Sequence, residues 1–92
     1  MGRSEYKVPG GKLLRAKAEA EAGKIKFLQV SGDFFMSPET DLEELEAQLV
    51  GGSSDPEAVT GKVRAFFGER DTVITGASPG DFARIIIEAL EG

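Results

Sequence analysis

Between Arg15 and Ala22 the chain reads Arg-Ala-Lys-Ala-Glu-Ala-Glu-Ala, and this strict alternation constrains the fold more than any other feature. Ala, Glu and Lys all favour helix, so propensity alone would make residues 12–22 (KLLRAKAEAEA) helical. The pattern opposes that. Alanines at every second position scatter around a helix, but they line one face of a strand, where successive side chains point to opposite sides. Period two predicts a half-buried strand over 12–22, with small alanines that leave room for close packing on their face. Ala22-Gly23 then makes a turn, with Gly23 suited to positive φ. Residues 24–31 (KIKFLQVS) supply the partner strand, with Ile25 and Phe27 alternating with lysines. Residues 12–31 are thus expected to form a β-hairpin. Upstream, residues 4–8 (SEYKV) read as a strand ending at Pro9, and Pro9-Gly10-Gly11 breaks the chain.

Downstream of Phe34-Phe35-Met36 the period changes. Ser37-Pro38 is expected to open a first helix, Ser37 as its N-cap, with Glu39 and Asp41 in the first turn and Leu42, Leu45 and Leu49 facing the core. Gly51-Gly52 stops it, and 51–54 is a loop. Asp55-Pro56 opens a second helix with Val59, Val63, Phe66 and Phe67 as its apolar stripe, closed by Gly68. Residues 72–75 (TVIT) are a short strand or an extended link. Ser78-Pro79-Gly80-Asp81 opens a third helix, Asp81 placed for a capping box, with Phe82, Ile85, Ile86, Ala89 and Leu90 buried. Three strands followed by three helices predict an α+β domain: an antiparallel sheet of about three strands with three helices packed on one face. The 92 residues fit a single domain, 1–92.

The chain has no Cys and no His. That removes disulfides, thiolate nucleophiles, the common zinc sites, Cys-ligated iron–sulfur clusters and the usual general base near neutral pH. What remains is a thin kit for a self-sufficient enzyme, so no catalytic residue and no metal ligand is assigned. The net charge of −5 disfavours nucleic acid as a partner. No apolar run is longer than three residues, as at Ile85-Ile86-Ile87, so no membrane span is expected. The N-terminus shows no secretion signal, and a cytoplasmic location is expected. The charge is uneven. Residues 1–26 carry seven basic against three acidic side chains, net +4, and residues 27–92 carry four against thirteen, net −9. The N-terminal third could therefore face an anion, although lysines lining a solvated sheet explain the same count.

Two local motifs carry possible chemistry. In Gly10-Gly11-Lys12 a glycine-rich turn could offer backbone N–H groups and one cation to a phosphate or carboxylate. It lacks the GxxxxGK[ST] spacing and the following helix of a P-loop, and on the local sequence alone an ordinary turn with a solvated lysine is the better reading. In Gly32-Asp33-Phe34-Phe35 one carboxylate stands beside two aromatics, with no second carboxylate to complete an acid/base pair. On an extended chain Phe34 and Phe35 point to opposite sides, so one is expected outside as a contact aromatic. The acidic side chains Glu39, Asp41, Glu43, Glu44 and Glu46 read as a solvated helix face.

Taken together, PGGKL at 9–13, AGKI at 22–25, GDFF at 32–35, the acidic helix from Pro38 to its end at Leu49-Val50-Gly51, and SPGDFARIIIEAL at 78–90 resemble the C-terminal accessory domain of lipoate–protein ligases. The form most similar is the separate small second subunit of archaeal-type two-protein ligases. The likeness covers residues 6–91, with the middle helix contributing least.

The resemblance implies a non-catalytic accessory subunit, needed beside a catalytic subunit for ATP-dependent activation of lipoate to lipoyl-AMP and for protein lipoylation. It implies a heterodimer, with lipoyl-acceptor proteins as indirect partners. ATP, Mg and lipoate are expected on the catalytic subunit, and none on this chain alone. By the same resemblance Gly10, Gly11 and Lys12 face an anion at the subunit interface, and Gly32, Asp33, Phe34 and Phe35 contact the partner. The family's fold is similar to sulfur-transfer and iron–sulfur scaffold domains. The alternative function is therefore a sulfur-handling or cluster-scaffold module, against which the absence of Cys counts.

Overall fold

The computed structural model describes residues 2–91. The alternating segment is a strand. β1 (Gly2–Lys7), β2 (Leu13–Glu21) and β3 (Lys24–Gly32) form an antiparallel sheet in the order β1-β2-β3. β1 lies earlier than the expected 4–8. Leu14, Ala16 and Ala18 are buried while Arg15 and Lys17 are exposed, as period two requires. The hairpin turn holds Ala22 at φ 51° and Gly23 at φ 77°, so both central residues are positive, as in a type I′ turn.

The expectation that Ile25 and Phe27 share a face is corrected by a β-bulge. Glu19 stands opposite Phe27 but Ala20 opposite Ile25, which leaves Lys26 as the extra residue of β3. One added residue switches the side chains that follow to the other face. Ile25 and Leu28 are buried and Phe27 is exposed.

Three helices cover one face of the sheet. α1 (Thr40–Leu49) packs on β3, and α3 (Pro79–Glu91) packs across β1 and β2. α2 (Pro56–Gly68) packs against both helices. The core includes Leu14, Ala16, Ala18, Ile25, Leu28 and Val30 from the sheet, met by Leu45, Leu49, Val59, Val63, Phe66, Phe82, Ile85 and Ile86 from the helices. The element lying close on the alanine face is α3. The Ser4 hydroxyl donates to the carbonyl oxygen of Ile85 at 2.6 Å, a contact from strand to helix backbone. Alanines at 16 and 18 keep the sheet low beneath it. The box at the start of α3 forms as expected. The Ser78 N–H and hydroxyl both donate to Asp81 Oδ2 at 2.9 Å.

Strands and helices are not fully segregated. Two three-residue strands, β4 (Phe35–Ser37) and β5 (Val73–Thr75), pair antiparallel as a separate ribbon. This overturns Ser37 as a helix N-cap: Ser37 is opposite Val73 in that ladder, so its backbone is extended there. Pro38 and Glu39 make a turn in which the N–H groups of Asp41 and Leu42 donate to their carbonyls, and α1 begins at Thr40. α2 does begin at Pro56 after Asp55, although the Asp55 side chain makes no cap hydrogen bond. The loop 51–54 runs along the outer edge of β3. Gly51 N–H donates to the Ile25 carbonyl, Ile25 N–H to that of Gly52 and Ser54 N–H to that of Gly23, so this loop satisfies edge groups.

Candidate functional site

The Pro9-Gly10-Gly11 break is a β-turn, in which Gly11 N–H donates to the Val8 carbonyl at 2.8 Å. Pro9 sits at the second position and Gly10, at φ 71°, at the third, which is the type II arrangement that favours glycine. The turn is pinned from the side, because Lys12 N–H donates to the carbonyl oxygen of Gly76 at 2.9 Å. Gly11 is needed for that approach: a Cβ there would lie 2.5 Å from the Gly76 oxygen. The Lys12 stem lies against Gly76, and its exposed ammonium makes no ion pair with a described residue.

The second motif meets the first. Asp33 N–H donates to the Leu13 carbonyl at 3.0 Å, and Gly32 passes so close to that carbonyl that a Cβ would collide with it. Leu13 thus follows a residue bonded to Gly76 and is itself bonded to Asp33. Gly10, Gly11, Lys12, Gly32 and Asp33 thus converge with Gly76 at one end of the sheet. Sequence spacing links the two motifs through the hairpin. It gives no sign of the third partner, the loop around Gly76 that leads into α3.

The two phenylalanines separate as expected. Phe34 turns inward and meets Phe82 edge to face, with ring centroids 4.9 Å apart at 88°. Phe35 is 73% exposed. Residues directly opposite in a ladder share a face, so Phe35 lies with Thr75, Ser37 and Val73 on the outer side of the β4–β5 ribbon. Val73 is 61% exposed. The ribbon therefore presents an apolar pair to solvent while Met36 is buried behind it. Val73 is a contact candidate that sequence reading missed. The available signal was the alternation Val73, Ile74, Thr75, which leaves Val73 outside once Ile74 is inside. Beside Phe35 an open depression of about 320 Å³ runs between the end of β3 and α1, lined by residues that include Gly32, Phe34, Glu39 and Leu42.

The acidic helix face is corrected at two positions. Asp41 is 6% exposed. Its carboxylate accepts from Arg70 Nη1 at 3.1 Å and from the Thr72 hydroxyl. Arg70 also pairs with Glu44 at 3.0 Å and lies over the Phe66 ring at 4.3 Å. This network ties α1 to the segment entering β5, and so holds the ribbon that carries Phe35 and Val73. Asp41 shares the i, i+4, i+8 stripe of Leu45 and Leu49, which is the signal that could have identified it. Glu46 is the second exception. It accepts the Val30 N–H at 2.6 Å from its partly buried place, and burial raises its carboxyl pKa against the lowering effect of that bond.

Among the described residues no group of three or more His, Cys, Asp or Glu side chains is placed to hold a metal ion. Nor is any helix of the described chain long and apolar enough to cross a membrane. The geometry offers a surface: one unpaired cation on a rigid turn beside an exposed aromatic ribbon.

Known proteins share this fold. Residues 3–86 match the family model described as the C-terminus of bacterial lipoate protein ligase. A protein named lipoate-protein ligase A subunit 2, from Thermoplasma acidophilum, is 32% identical over 74 residues, covering 80% of this chain and 76% of that one. A solved chain from a study of an archaeal lipoylation system in the same organism superposes with a TM-score of 0.76 at 29% identity. That study describes a bi-partite lipoate protein ligase and its E2 lipoyl domain, and the match covers 91% of this chain and 96% of the solved one.

Proposed function

The chain belongs to the lipoate–protein ligase C-terminus family, and from that membership we propose how it serves as the small accessory subunit of a two-protein ligase. It acts as one domain, 1–92, in a cytoplasmic heterodimer with a separate catalytic subunit. That subunit binds ATP, Mg and lipoate, forms lipoyl-AMP and passes the lipoyl group to acceptor proteins. The observation that carries this reading is the convergence of the two motifs. The bonds Lys12 N–H to Gly76 and Asp33 N–H to Leu13 build one rigid corner from three separate stretches of chain. From that corner the Lys12 ammonium faces an anion at the subunit boundary, where a point charge on a flexible stem suits a phosphate or carboxylate. Gly10, Gly11 and Gly32 permit the close turns. Asp33, Phe34 and Phe35 bring the β4–β5 ribbon against the partner, with Phe35 as the contact aromatic.

The test is to mix this chain with a catalytic subunit lacking the domain and follow lipoyl-AMP. Lipoyl-AMP should form rapidly only in the mixture, and Lys12→Ala should lower that rate more than it lowers binding of the two chains. Equal losses, or none, would return Lys12 to a solvated residue. Intact mass separates a further possibility. This chain should gain no lipoyl group, and a gain would make it an acceptor instead.

A further inference from the structure

The helices cover one face of the three-stranded sheet and leave the other open. Across that open face the register sets Arg3 opposite Lys17 and Lys17 opposite Gln29. Like charges directly opposite each other destabilise a sheet. Neither Arg3 nor Lys17 makes an ion pair with a described residue, although Glu5–Arg15 and Glu21–Lys26 on the same sheet do. A shallow depression of about 290 Å³ lies here, lined by residues that include Arg3, Arg15, Lys17, Gln29 and Ser31. Residues 27–92, which supply the whole helical layer, carry net −9. The molecule is thus two-faced in net charge, basic through the sheet segment and acidic through the helical layer. The open face continues through the Lys7–Leu13 pair into the corner formed by Lys12 and Gly32.

We propose that this open sheet face, centred on Arg3 and Lys17, is the docking surface for an acidic patch of the catalytic subunit. The inference rests on the accessory-subunit reading and adds the surface and the sign of its partner. Carboxylates on the partner relieve the repulsion between Arg3 and Lys17, so the opposed pair is an element of recognition. Docking there brings the adjoining Lys12 corner to the edge of the contact. The acidic helical layer faces away, and the molecular dipole orients the approach.

Lys17→Glu tests this, because it places a carboxylate opposite Arg3. Stability and binding should then move apart. The melting temperature should hold or rise, while affinity for the catalytic subunit should fall by about tenfold or more at low salt. Arg64→Glu makes the same charge change on exposed α2 and should leave affinity within about twofold. Wild-type affinity should weaken with added salt, and Lys17→Glu should flatten that dependence. Equal losses in the two variants would overturn the proposal by showing that only net charge matters. An unchanged Lys17→Glu beside a wild type that binds and activates would place docking elsewhere while leaving the accessory role intact. A defect confined to transfer onto an acceptor protein would also overturn it. If wild type itself neither binds nor activates, the accessory reading fails and this inference falls with it.

Discussion

Glu46 shows how a single residue can be both a structural tie and a liability. Its raised pKa means that the folded state disfavours the ionised form, chiefly through burial and, in smaller part, through nearby Glu43. The contribution of this group is therefore fully present below the ordinary glutamate pKa and is lost as pH rises through the raised, folded value. Glu46→Gln keeps an acceptor for the Val30 N–H without the charge. Denaturant melts at pH 4 and pH 7 should show the stability of wild type relative to Glu46→Gln falling between them. A gap that does not change would contradict the assignment. At the turn, Ala22 holds φ 51°, which costs an L-residue with a Cβ about 1 kcal/mol. Ala22→Asn creates the Asn-Gly pair that type I′ turns prefer, and a rise in stability smaller than that cost is expected in the same assay, because Asn keeps its Cβ. Phe35→Ala should leave thermal stability nearly unchanged, since the ring is mostly exposed, while weakening association with the catalytic subunit.

Among the elements, α1, β4 and β5 form a unit that the amino-acid sequence only half discloses. The alternation in β2 was legible because the sheet is regular with one face buried from Leu14 to Ala18, before the bulge that leaves Ala20 exposed. The bulge at Lys26 was not, because a single added residue leaves no periodic trace. β4 and β5 are three residues each, too short to show a period, and their pairing joins positions nearly forty residues apart. The Asp41–Arg70–Thr72 network was hidden for a similar reason. Its partners lie 29 and 31 residues apart, so the charge count reads as a solvated face. Arg70→Ala leaves the buried Asp41 carboxylate with Thr72 alone. It should destabilise the fold by about 1–3 kcal/mol, the usual cost of an under-satisfied buried group. If the network positions the ribbon, hydrogen exchange in β4 and β5 should also accelerate more than in β1–β3. Uniform acceleration would reduce the network to general stability.

For the whole molecule, the question is where the separate features lie relative to one another. The surface carries a rigid corner, an aromatic ribbon and a basic sheet face. The motifs were legible in the sequence one by one, but their common location required the fold. What joins them is backbone hydrogen bonding through Leu13 and Gly76, which no spacing rule reveals. The most direct measurement is lipoate-dependent ATP–pyrophosphate exchange by the catalytic subunit, titrated with this chain. Little exchange is expected without the chain, and a steep rise that saturates at one chain per catalytic subunit is expected with it. Exchange that is equally fast without it would contradict the accessory role.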